Sequence, residues 1–249
     1  MRSTIYRLLN ELVFALLTSI AMASALSGCA SLRPSQAFDK PHHAEIKHIA
    51  LLRVPAPQLK VTNLGGSLGA FGLLGGAMGA ADEDTKSHEF ADAVAGEMPL
   101  AKLLTEALES ELKKEGYRVT LEDQRPIEPA PDQRTADDLA NYSKITTEAD
   151  AILDVSFLSA GYLSPPGSGD YLPWLHVKAT LVATRGRTPL YVDWLVYGAK
   201  FGVRKEYFST ARPYAYGSFS DLMEQRRDAI EGLTRGIEPI AGRIAEQLR

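Results

Sequence analysis

"LHVKATLVATRGRTPLYVDWLVY", residues 175–197, decides how this chain folds. Leu175, Val177, Ala179 and Leu181 alternate with His176, Lys178 and Thr180, the two-residue period of a strand with one buried face. Val192, Trp194 and Val196 alternate in the same way with Tyr191, Asp193 and Tyr197. Between the runs lies Arg185-Gly186-Arg187-Thr188-Pro189, a turn composition too short for anything but an antiparallel hairpin. Whatever precedes it, the sheet contains antiparallel strands.

Upstream of the hairpin, helix and strand signals alternate instead. Ile46 to Val54 predicts a first strand, apolar on both faces in its middle, stopped by Pro55 and Pro57. Pro99 to Glu115 predicts a helix with Leu100, Leu103, Leu104, Ala107, Leu108 and Leu112 on one stripe and Gly116 just past its end. Tyr117, Val119 and Leu121 give a second strand. A second helix is expected from Thr135, with Asp138 in its first turn, to about Thr147. Leu153, Val155 and Phe157 open a strand before the hairpin, joined to it by Ser164-Pro-Pro-Gly-Ser-Gly-Asp170. A final helix is expected from Ser220 to Leu248, where Met223, Ile230, Ile237 and Ile244 recur every seven residues; Gly232, Gly236 and Pro239 predict a bend or a split. The expectation is an α/β (α+β) domain: a mixed sheet of about five strands in the order β-α-β-α-β-β-β-α, with helices packed on it.

The N-terminus carries an address. Arg2 and Arg7 precede an apolar run of about 14 residues, Leu12 to Ala25, too short to span a bilayer as a mature helix. Small residues then lead to Cys29, the single cysteine. Leu26-Ser27-Gly28-Cys29 resembles the lipobox of bacterial lipoproteins. That resemblance implies that residues 1–28 are a signal peptide and that Cys29 becomes the lipidated first residue of the mature chain. Ala30, rather than Asp, after the cysteine implies sorting to the outer membrane of a Gram-negative cell. Several acyl chains anchor stably where one does not. With its thiol consumed, the chain has no disulfide, no cysteine metal site and no thiol nucleophile.

Residues 29–45 read as a polar, lipidated tether, and 46–249 as one periplasmic domain with a glycine-rich insertion at 61–98. Removing Arg2, Arg7 and Glu11 with the signal leaves 25 basic against 30 acidic residues, a net charge of −5. A mildly acidic body is a poor nucleic-acid binder.

The insertion contains Leu64 to Ala81, with seven glycines and no charge. Gly65/Gly69, Gly72/Gly76 and Gly75/Gly79 have the small-xxx-small spacing of closely approaching helices in lipid. An unpacked loop and a membrane-contacting or self-associating segment both fit, so a homo-oligomer, and a membrane-inserting one, stays open. No G-x-G-x-x-G and no Gly-Lys-Ser/Thr is present to cradle phosphate.

Chemistry is sparse. His42, His43, His48, His88 and His176 form no ligand pattern, so no metal and no cofactor beyond covalent lipid is expected. Asp154 and Asp193, on strands amid apolar neighbours, could meet across the sheet as an acid/base couple, but exposed-face carboxylates are the plainer reading and no catalytic residue is assigned. Tyr162, Tyr171, Trp174, Tyr207, Tyr214 and Tyr216 could form a partner-binding surface, or could close the ends of the core.

The element order, with Thr147-Glu-Ala-Asp-Ala-Ile-Leu-Asp-Val155 leading into a strand, resembles envelope lipoproteins whose domain is similar to the N-terminal domain of the Tol-system periplasmic protein and to the curli-secretion lipoprotein. The resemblance implies a periplasm-facing accessory or assembly role with an envelope protein partner, not catalysis. The glycine stretch lacks the alternating strands through which the curli relative inserts in a membrane.

Overall fold

The computed structural model describes residues 35–64, 72–124, 142, 144–200, 206–209 and 214–249. The hairpin is there, and longer than its two runs. β4 (Ala151–Ser164), β5 (Leu172–Ala183) and β6 (Pro189–Gly198) pair antiparallel in succession, with Leu181 opposite Tyr191 and Leu153. β1 (His48–Leu52) lies parallel to both β4 and β3 (Arg118–Glu122), as the upstream crossovers require. The class is α+β with a mixed sheet.

Among the described residues the sheet has seven strands, not five. β2 (Leu59–Asn63) runs parallel to the far half of β4, directly beyond β1 on the same edge. The long β4 is thus flanked end to end by two short strands, and its register shifts between Phe157 and Ser159, near the junction. β7 (Glu206–Phe208) adds a parallel edge beside Leu195 to Tyr197. Both were missed for the same reason: three to five residues beside prolines or glycines carry too little alternation to register as strands.

The insertion at 61–98 is ordered differently from a loop. It begins inside β2 and continues as α1 (Gly72–Ala93). α2 (Leu100–Lys114) matches its predicted stripe, with Leu100, Leu104, Leu108 and Leu112 buried. The predicted helix at 135–147 falls largely outside the described residues; Ile145 to Thr147 are not helical. The long C-terminal helix is three: α3 (Phe219–Glu224), α4 (Arg226–Thr234) and α5 (Ile237–Gln247). The break at Gly236 has a packing cause, because a Cβ there would run into the Tyr197 ring.

Strand parity sorts the core. The row Leu175, Val177, Ala179, Leu181 joins Leu153, Val155, Tyr191, Leu195 and Tyr197 under α1, α2, α4 and α5, which contribute Phe90, Leu104, Leu108, Leu233, Ile240 and Ile244. The opposite face carries a smaller cluster at one end, Ala50, Leu52, Tyr142, Ile145, Ala149, Ile152 and Val182. In β6 the row with Tyr and Asp is the core row, while Val192 and Trp194 are half-buried on the other side. Among the described residues, no helix is long and apolar enough to cross a membrane.

Candidate functional site

Cys29, expected to carry lipid, lies outside the described residues, as do Gly65 and Gly69. The expected tether of 29–45 is docked from Gln36 onward. The Gln36 N–H donates to Val192 O at 2.8 Å and its carbonyl accepts from Val192 N at 2.9 Å, while its side-chain amide donates to Pro189 O at 2.9 Å. Phe38 packs on the core and stacks on His43 at 5.8 Å. Asp39 caps the 3-10 turn Lys40–His43, taking the His42 ring nitrogen at 2.7 Å. The two tether histidines thus serve the local backbone. Among the described residues, no three His, Cys, Asp or Glu side chains are placed to hold a metal ion.

Of the glycine face, Gly72, Gly76 and Gly79 fall in α1, where spacings of four and three place them on one side of the helix. The second half of α1 is bound to the body. Ser87 Oγ accepts from Val61 N at 2.9 Å and Glu83 Oε1 accepts from Asn63 N at 3.1 Å. β2 already gives its other edge to β4, so these side chains satisfy amides that a sheet edge otherwise leaves open.

The proposed acid/base couple does not exist. Asp154 is opposite Thr180, which is opposite Val192, so Asp193 falls on the other face of the sheet. Asp154 Oδ2 accepts from the Tyr142 hydroxyl at 2.9 Å. Asp193 is buried under α5, where its Oδ2 accepts from Gln247 Nε2 at 3.0 Å. The two carboxylates cannot share a substrate.

The aromatic set is corrected likewise. Tyr162, Tyr171, Tyr214 and Tyr216 are buried and present no surface to a partner. Tyr162 sits edge-on to Phe90 and Tyr216, and its hydroxyl donates to Ala229 O at 2.9 Å. Burial drives the Tyr162 hydroxyl far above its ordinary pKa and pushes Tyr216 up to about 12, so both stay neutral core groups. Trp174 and Tyr207 are half-buried; the Tyr207 hydroxyl donates to Gly198 O at 2.7 Å, and Trp174 stacks near His176. Among the described residues, the large apolar side chains left open are Leu64 and Leu158, the latter at the β4 irregularity.

Compared with known proteins, no family model matches the chain and no curated protein matches its sequence. Solved structures give loose matches. The protein XCC0632 from Xanthomonas campestris is 8% identical over 80% of this chain and 84% of its own, at a TM-score of 0.37. The PelC dodecamer from Paraburkholderia phytofirmans is 12% identical over 78% and 87%, at 0.28. Lipoprotein GNA1162 from Neisseria meningitidis is 15% identical over 73% and 95%, at 0.25. All three scores fall below 0.5, too low for the likeness to carry a function across.

Proposed function

We propose that this chain is a lipid-anchored envelope lipoprotein whose body is a periplasm-facing, non-catalytic interaction or assembly module. The carrying observation is the lipobox-like Leu26-Ser27-Gly28-Cys29 with a residue bridged to the sheet, Gln36, close behind it. Gln36 is seven residues past Cys29, a chain reach of at most about 25 Å. A lipid on Cys29 therefore holds the body against the bilayer rather than on a long leash. The titratable groups fit the non-catalytic reading: Asp193 fastens a helix, Asp154 fastens Tyr142, and the buried tyrosines fasten the core. The sequence's resemblance to envelope lipoproteins, whose domain is similar to that of the Tol-system periplasmic protein and the curli-secretion lipoprotein, supports an accessory role beside an envelope protein at the outer membrane.

Intact mass of the protein purified from membranes tests the anchor. A mature chain starting at a triacylated Cys29, and release of Cys29→Ala from the membrane fraction, are expected. A mass that still includes Met1 overturns the reading. A photo-crosslinker at Leu158, exposed on the body, is expected to capture an envelope protein in intact cells.

A second reading has α1 in its favour. Gly72, Gly76 and Gly79 on one helix side offer a surface for close helix approach, so a membrane-inserting or self-associating oligomer results if that side is used. Replacing all three by Val then dissolves the oligomer in detergent, while the lipid-anchored monomer is unaffected.

A further inference from the structure

The chain has two tryptophans, Trp174 and Trp194. Both fall on the sheet face turned away from the helices. In β5, Trp174, His176 and Lys178 alternate with the core row Leu175, Val177 and Ala179; in β6, Trp194 and Val196 alternate with Leu195 and Tyr197. Lys178 is opposite Trp194, His176 is opposite Val196, and Val196 is opposite Tyr207 of β7. Trp174 stacks on His176 at 6.3 Å. Adjacent strands thus gather both indoles, an imidazole and a phenol in one patch. These rings are half-buried and belong to neither apolar cluster of the core.

Charge separates the two sides of the sheet. Among the described residues the cations at this patch are Lys178 and Lys200, whose Nζ lies 5.7 Å over the Tyr207 ring. Asp154, a carboxylate further along the same face, accepts from the Tyr142 hydroxyl. On the helix side, α1 sets Asp82, Glu83, Asp84, Glu89 and Asp92 against Lys86. An anionic bilayer surface attracts the first side and repels the second.

The anchor leads to the same face. Gln36 bridges to Val192, which lies on this face two residues from Trp194. Cys29 is seven residues before Gln36, so on the lipid-anchored reading above, on which this inference rests, the bilayer begins within about 25 Å of Val192. Trp and Tyr favour the headgroup level of a membrane, where the ring meets apolar surroundings and its N–H or O–H stays among polar groups. We propose that the face of Trp174, Trp194 and Tyr207, flanked by Lys178 and Lys200, docks on the headgroup layer of an anionic bilayer, leaving the acidic helices turned away from the membrane. Lipid and face are then two linked contacts with one surface.

The test uses the full mature chain purified from membranes and reconstituted on vesicles of phosphatidylglycerol and phosphatidylcholine in equal parts, with or without bromine on the acyl carbons next to the headgroup. Flotation with the vesicles reads the anchor. Tryptophan emission of the floated protein reads the face, because both indoles of the chain lie on it. Brominated lipid is expected to quench about half of that emission. Lys178→Glu is expected to float equally and to be about twofold less quenched. A chain with Trp174→Phe, Trp194→Phe and Glu238→Trp, the last an exposed position of α5, is expected to float unquenched. Should the paired Phe replacements unfold the chain, Glu238→Trp alone replaces them, its added emission expected to resist the bromine. Flotation without quenching overturns the proposal, leaves the anchor standing and makes a protein partner the occupant of the face. Neither flotation nor quenching overturns both readings. Undiminished quenching in Lys178→Glu, or quenching at position 238, also overturns the proposal.

Discussion

Asp193 is a carboxylate in the core with no cation beside it among the described residues. Its charge rests on two donors, Gln247 Nε2 and the Trp194 N–H at 2.9 Å, and Gln247 in turn accepts from the Tyr191 hydroxyl at 2.5 Å. Removing the amide by Gln247→Ala takes one of the two donors from the acid and breaks the Tyr191–Gln247 bond. A loss of about 2 kcal/mol in urea unfolding is expected. His176 behaves in the opposite way. Burial lowers its pKa, so it is neutral in the fold and more readily protonated in the unfolded chain. Stability is then full above about pH 6.5 and declines as pH falls below it, because the unfolded state takes up the proton first. Urea midpoints measured from pH 7.5 to 5 are expected to flatten in His176→Gln. Gly161, at φ 139°, lets Lys60 of β2 cross close to β4, and a Cβ there would overlap the Lys60 carbonyl. Gly161→Ala is expected to cost at least ~3 kcal/mol and to loosen β2 first, read as faster amide exchange at Val61.

At the scale of elements, α1 is a clasp over a strand edge. Its glycines make the first half a weak helix former, at about 1 kcal/mol per residue relative to Ala. The second half recovers support from the i,i+4 pair Lys86–Asp82 at 2.5 Å and from the bonds to β2. Lys86 is raised in pKa first by that Asp82 contact, though both partners are solvated enough for the pair to count for little. The bonds from Ser87 and Glu83 matter more, because they end on amides of an edge strand. Ser87→Ala and Glu83→Ala are each expected to cost roughly 1 kcal/mol, with exchange accelerated at Val61 and Asn63 respectively. The C-terminal helices are anchored differently. Tyr117 donates to the Leu248 carbonyl and Leu248 is fully buried, so the last turn is part of the core. The seven-residue recurrence of Met223, Ile230, Ile237 and Ile244 reads as one long helix. Yet tertiary packing divides it, since Gly236 must admit Tyr197.

For the whole molecule, the β6 side of the sheet depends on chain that looked dispensable. Gln36 covers the start of β6 and β7 covers its end, so that strand has no long open edge. A chain beginning at Ser35 is expected to sediment as the intact body does. One beginning at Ile46 leaves the amide and carbonyl of Val192 unpaired, and is expected to melt several degrees lower and to associate at high concentration.

Period and punctuation made much of this legible before any coordinates. The Leu100–Leu112 stripe and the hairpin turn each depend on residues near one another in the chain, and each stands where local chemistry puts it. The lipobox-like pattern Leu26-Ser27-Gly28-Cys29 is legible for the same reason, being four consecutive residues. Tertiary structure decided everything that depends on which face or which neighbour. A strand's alternation shows that Tyr191 and Val192 point opposite ways, but only the helices above the sheet choose the Tyr and Asp row as core. That choice parts Asp154 from Asp193 and buries four of the tyrosines that could have formed a surface, while Gln36, read as tether, bridges to the edge of β6. The physical reason is range: propensity and turn chemistry act over a few residues, whereas burial is set by whatever the distant chain brings to lie on top.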